Sequence, residues 1–140
     1  MIGAIVSMMS WLPVLGLAAL GSLITSKSGV LNIGVEGIMG FGTFMGILGY
    51  YLTGSLWLSL IFGFGGGIML SVVLAVLCIR WKLDQIVAGF GLWFLGTGLA
   101  GFLYFTVIEG SVDVTKNFFT LGGLDPIFYI SIAFFVIFYF

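Results

Sequence analysis

The residues of this chain that could do chemistry are few, and they fall in two short strings. The first reads SGVLNIGVEG over residues 28–37 and places one carboxylate, Glu36, inside an apolar, glycine-laced stretch. A carboxylate within a membrane segment costs about 3 kcal/mol on insertion scales, so by default it marks a functional site. Glu36 could line a site, exchange a proton for a solute, or pair with a cation. Asn32, four residues before it, would share its helix face if the segment is helical. Gly34 and Gly37 flank the acid, and two glycines so close also permit a break in a helix. Broken backbone at membrane depth is tolerated only where it lines a cavity or is buried in protein, the arrangement of many transporter sites. Asn32, Gly34, Glu36 and Gly37 are therefore candidates to line a translocation path. The structural alternative for Glu36 is a salt bridge to Lys27 or to a base on a partner, and the two readings weigh about equally.

The second string, RWKLDQ over residues 80–85, carries Arg80, Lys82, Asp84 and Gln85. Asp84 can cap a following helix and complement its dipole. Arg80 and Lys82 suit the cytoplasmic side of a membrane protein. Contact with a cytoplasmic partner is the functional alternative for this loop, and the structural roles are the stronger expectation for each residue alone.

Several chemistries are excluded. The chain has no histidine and a single cysteine, Cys78. That rules out an internal disulfide, a Cys/His zinc site and Ser–His or Cys–His catalysis within these residues. With four basic and five acidic residues in 140 there is no basic patch for phosphate contacts, so no nucleic-acid partner is expected.

The elements that must position the two strings are apolar helices. Hydrophobic residues make up 61% of the chain and charged ones 6%, against about 25% charged in a soluble domain. The expected fold is all-α: a polytopic transmembrane protein in a lipid bilayer, forming one domain over residues 1–140. Runs long enough to cross a bilayer cover residues 2–24, 30–52, 57–79 and 86–107. A fifth, 126–140, is still apolar where the chain stops and reads as truncated. Pro13 predicts a kink in the first span. Residues 1–11 carry no Lys or Arg, so that span reads as retained rather than as a cleaved signal.

Alternation of the spans places the Lys27 and Arg80/Lys82 loops on one side, expected to be cytoplasmic, with the N-terminus and the long loop 108–125 outside. Tyr50, Tyr51, Trp57, Trp81 and Tyr104 fall near span ends, as interfacial anchors do. Trp93 lies deeper and reads as packed or lipid-facing. The 23 glycines lie inside the apolar runs. Gly42 and Gly46, Gly63 and Gly67, and the group Gly96, Gly98 and Gly101 read as close helix packing within the chain, with a dimer seam as the alternative.

Together the strings resemble the permease subunits of ATP-binding-cassette importers for nucleosides and simple sugars, in the branched-chain amino acid and ribose permease superfamily. The resemblance lies in SGVLNIGVEG (28–37), DQIVAG (84–89) and GLWFLGTGLAGFLY (91–104), and extends over essentially the whole chain. It implies a path formed with a second permease subunit and two cytoplasmic ATPase subunits that bind ATP and magnesium. It also implies an extracytoplasmic solute-binding protein and a plasma-membrane location. The permease itself hydrolyses nothing and holds no cofactor. Such permeases are roughly twice as long, with a cytoplasmic coupling segment after the fifth span, so an N-terminal portion of a longer permease is expected. A small dimeric secondary transporter, coupling solute to a proton on Glu36, is the competing expectation. A non-transporting assembly fragment is a third.

Overall fold

A computed structural model describes the backbone of residues 2–108, with side chains from Leu12 onward, and Ala133, Val136 and Ile137. All regular structure among these residues is helical. The fifth expected span, 126–140, lies outside the described residues apart from those three, which are helical. The outer loop, 109–125, lies outside them entirely. The chain divides into two compact units, Met1–Ser28 with Thr115–Phe140, and Gly29–Val114.

In the first unit, α1 covers Ile2–Lys27 and continues through Pro13 as one helix. Its last turn is tied down by hydroxyls: Thr25 Oγ1 donates to the Ser22 carbonyl at 2.9 Å and Ser28 Oγ to the Thr25 carbonyl at 2.7 Å. Lys27 sits in that turn, where positive charge complements the helix dipole.

The second unit holds α2 (Val35–Thr53), α3 (Leu56–Ala75) and α4 (Gln85–Leu103). A π-helical turn extends each of the last two, Val76–Arg80 and Tyr104–Ile108. With those turns, Leu56–Arg80 and Gln85–Ile108 are long and apolar enough to cross a membrane, while Leu12–Lys27 is a shorter apolar segment. Gly54 ends α2 in the left-handed conformation (φ 65°), and its N–H bonds the Tyr50 carbonyl at 2.8 Å, so the next helix begins two residues later.

Helix α2 is the hub: it packs against both α3 and α4. Ile38, Phe41, Phe44, Leu70, Leu74, Ala88, Leu92 and Ile108 form the buried core. The outward side of α3 is a stripe of large apolar residues that includes Trp57, Ile61, Phe64, Ile68 and Val72, all exposed. An apolar stripe of that length facing water would aggregate; facing lipid it needs no cover. Trp81 is 66% exposed and Trp57 76%, as interfacial anchors require, whereas Trp93 is half-buried and packs edge-on to Phe90 at 6.1 Å.

The glycine pairs pack within the chain. A Cβ on Gly42 would stand 3.2 Å from the Gly63 carbonyl oxygen, and one on Gly63 would stand 3.3 Å from that of Gly42. Ser59 Oγ crosses the same seam to the Gly46 carbonyl at 2.7 Å. Of the group Gly96, Gly98 and Gly101 only Gly96 is pressed against a neighbour; Gly98 and Gly101 have nothing within 4 Å among the described residues.

Candidate functional site

The second span begins later than hydropathy predicts. Val30, Leu31 and Ile33 continue the apolar run outward, yet α2 starts at Val35 and residues 28–34 are non-helical. Gly29 turns the chain with φ +87°, and Gly34 is the N-cap of α2. Asn32 therefore precedes the helix, and its expected i, i+4 relation to Glu36 on one helical face does not exist. No break separates Gly34 from Gly37, since Val35, Glu36 and Gly37 are all helical; the irregular backbone lies before them, between Gly29 and Gly34.

Irregular backbone of this kind leaves N–H and C=O groups that a helix would have paired. Here Gln85 pairs two of them. Its Oε1 accepts from the Leu31 N–H at 2.7 Å, and its Nε2 donates to the Gly29 carbonyl at 3.1 Å. A carboxamide carries its acceptor and its donor on two separate atoms at its tip, so one residue of α4 closes both ends of the turn. Asp84 caps α4 as expected: its Oδ1 accepts from Ile86 N at 2.8 Å and Val87 N at 3.2 Å. The cap fixes the first turn of α4, and with it the position of Gln85.

Below this clasp, α2 and α4 meet backbone to backbone. A Cβ on Gly34 would lie 2.9 Å from the Gly89 carbonyl oxygen, and one on Gly89 would lie 3.0 Å from Ile33 Cβ. A Cβ on Gly37 would lie 2.6 Å from the Leu92 carbonyl oxygen, and one on Gly96 would collide with the Gly37 carbonyl. Gly34, Gly37, Gly89 and Gly96 are buried. They serve close approach, so the second string of the sequence and the first are parts of one structure.

Asn32 sits at the edge of this crossing. Its Oδ1 is buried and accepts no hydrogen bond among the described residues. A buried acceptor left unmade costs about 1–3 kcal/mol and calls for an explanation. Glu36 is exposed in the first turn of α2, which no side chain caps, and there its charge complements the helix dipole. Arg80 and Lys82 are exposed on the turn that joins α3 to α4, and Lys82 takes a left-handed conformation (φ 54°). No cluster of three or more His, Cys, Asp or Glu that could hold a metal occurs among the described residues.

Residues 4–140 match the family model described as the permease component of the branched-chain amino acid transport system. The chain belongs to this permease family. Among its relatives is the provisionally named glucose ABC transporter permease protein TsgC13 of Haloferax volcanii. It is 46% identical over 89 residues, covering 64% of this chain and 27% of that protein. The guanosine ABC transporter permease protein NupQ of Bacillus subtilis is 33% identical over 106 residues, covering 71% of this chain and 33% of its own length. The nucleoside ABC transporter permease protein NupC of Lactococcus lactis is 29% identical over 106 residues, again with 71% and 33% covered. The chain thus spans a third or less of the length of these relatives. No solved structure is significantly similar. Family and apolar helices together make this a membrane protein.

Three features of the site were missed from sequence: Gln85 as a partner of residues 29–31, and Gly89 and Gly96 as partners of Gly34 and Gly37. Gly89 and Gly96 lie seven apart, two turns of one helix face, and that spacing was the one available signal. Nothing local pairs Gln85 with residues 54 and 56 positions away.

Proposed function

We propose that this chain is a permease subunit, or the N-terminal portion of one, of an ATP-binding-cassette importer. It would form part of the translocation path for a nucleoside or a simple sugar. The match to the permease family over residues 4–140 carries the reading, and the glucose, guanosine and nucleoside transporters among its relatives supply the solute class. The chain is a transport subunit and not an enzyme. ATP and magnesium bind on a partner ATPase, and this chain needs no cofactor of its own. Its other partners are a second permease subunit and an extracytoplasmic solute-binding protein. It is a single transmembrane domain of five spans in the plasma membrane, with the N-terminus outside and the Lys27 and Arg80/Lys82 loops in the cytoplasm.

Asn32, Gly34, Glu36 and Gly37 line or shape the path. Irregular backbone between a positive-φ glycine and a helix N-cap, with a buried carboxamide oxygen that accepts no hydrogen bond among the described residues, favours that assignment. Arg80, Lys82, Asp84 and Gln85 close the cytoplasmic side, with Asp84 and Gln85 facing inward to helix and path segment and Arg80 and Lys82 outward.

Uptake of labelled guanosine and labelled glucose tests the reading, measured in cells lacking the gene and in complemented cells. Loss of uptake of either solute on deletion, restored by the gene and abolished by ATP depletion, is the expected result. Normal uptake of both in the deletion strain would refute it.

A further inference from the structure

The free surface of α2 differs from that of its neighbours. Over residues 35–50 its only exposed residues are Glu36 and Thr43. They lie seven apart, on one face of the helix. Gly40 opens the same side toward α4: a Cβ there would stand 3.7 Å from Thr97 Cγ2, and Thr97 is exposed. A carboxylate and two hydroxyls thus form one polar strip along the seam of α2 with α4. Elsewhere α3 and α4 present Ile61, Phe64, Ile68, Val87, Phe94 and Phe102, all exposed. Leu56–Arg80 and Gln85–Ile108, on which α2 packs, are apolar enough to cross a membrane; α2, at 19 residues, is not. A hydroxyl alone does not separate lipid from water: Ser71 is exposed on α3 among large apolar residues and donates to the Gly67 carbonyl at 2.8 Å. Lipid does not favour a helix face whose exposed residues are an acid and a hydroxyl, with no large apolar side chain beside them.

We propose that the strip of Glu36, Thr97 and Thr43 faces the water of the translocation path and offers hydrogen-bond acceptors to a neutral solute rich in hydroxyl or N–H groups. The inference rests on the permease reading and adds Thr43 and Thr97 to the path. Thr43 Oγ1 donates to the Met39 carbonyl at 2.9 Å and Thr97 Oγ1 to the Trp93 carbonyl at 2.7 Å. With their protons committed to the backbone, both hydroxyls turn only lone pairs outward, and an ionised carboxylate is acceptor-only as well. A wall of acceptors pairs with donors and opposes anions, so the phosphate ester of the same solute is disfavoured.

The chain has one cysteine, Cys78, so Cys78→Ser gives a background in which a single new thiol reports its surroundings. Thr43→Cys and Thr97→Cys probe the strip, and Phe64→Cys and Ile68→Cys the apolar side of α3, all in the whole gene product in native membranes. The probe is a membrane-impermeant cationic methanethiosulfonate, applied to vesicles of both orientations. The thiolate reacts and the thiol does not, and a thiol in lipid stays protonated, so both strip positions should label at least about tenfold faster than both α3 positions. Whichever of guanosine and glucose shows gene-dependent uptake should slow labelling of the strip, and its phosphate ester should not. Thr97→Val keeps the shape and removes the oxygen; it should raise KM for that solute about fivefold, the loss of one neutral hydrogen bond, with the maximal rate within about twofold.

Strip labelling no faster than at α3 would overturn the proposal, whether lipid or a partner helix covers the face. So would fast labelling that the transported solute leaves unchanged, equal protection by the phosphate ester, or an unaltered KM in Thr97→Val. If one strip variant fails to reach the membrane, the other carries the same comparison. Uptake of both solutes surviving gene deletion would instead sink the permease reading and the solute role with it. Labelling would still decide whether the strip meets water.

Discussion

Helix α2 makes two glycine seams, and they are built differently. Toward α3, Gly42 and Gly46 face Gly63 between regular helices. Their closest hypothetical Cβ contacts with backbone are 3.2–3.3 Å; the tighter ones in this seam, Gly66 to Met45 at 2.6 Å and Gly49 to Phe62 at 2.7 Å, are with side chains, and a serine hydroxyl bridges the gap. Toward α4, Gly34 and Gly37 face Gly89 and Gly96; at Gly34, Gly37 and Gly96 the backbone stands closer than a Cβ tolerates, and at Gly89 the nearest contact is 3.0 Å. That seam also holds non-helical backbone, a side-chain clasp and a buried oxygen with no hydrogen-bond partner among the described residues. The first seam has the features that packing requires and no more. The second has polar features that packing does not require and that cost free energy to keep, which is how a site differs from a scaffold.

The sharpest way to break this comparison is a methyl group on each seam. Gly96→Ala sets a Cβ against the Gly37 carbonyl, and backbone opposes backbone so neither can rotate away. We expect a loss of about 3 kcal/mol, read as a shift in the denaturation midpoint in detergent, with little folded protein recovered. Gly42→Ala needs its neighbour to give by only a few tenths of an ångström, and about 1 kcal/mol is expected. Equal losses at the two positions would erase the distinction.

Asp84→Ala removes the cap that seats Gln85, at a cost of about 1 kcal/mol, and should quicken amide exchange at the start of α4 while α3 is unchanged. Gly98→Ala, with nothing within 4 Å, should be neutral or stabilise by up to about 1 kcal/mol through helix propensity. The smallest effect concerns Glu36. Liposomes holding only this chain should carry no proton-coupled solute flux, and Glu36→Gln should change nothing there. Flux that Glu36→Gln abolishes would favour a proton-coupled carrier.

Much of the scaffold was legible in the sequence. Spans expected at 57–79 and 86–107 lie within Leu56–Arg80 and Gln85–Ile108, because their apolar runs are bounded by a turn glycine, by charges and by the Asp84 cap. The start of α2 was not legible. Hydropathy counts Val30, Leu31 and Ile33 alike whether they are helical or not, and the helix start depends on Gly29 and Gly34, whose backbone angles composition does not encode. The left-handed Lys82 and the two π-helical turns carry no composition signal either. At the site, residue types announced Asn32, Gly34, Glu36 and Gly37. Gln85 joined them only through tertiary contact, since hydrogen bonds across more than fifty residues leave no periodic trace.

The central claim is that this chain works as the membrane part of an ATP-driven importer. Native mass spectrometry tests it most directly, on the N-terminally tagged product of the native locus extracted in mild detergent. The account predicts a complex that retains an ATPase subunit together with a second permease subunit. A homodimer of this chain with no ATPase bound would contradict it.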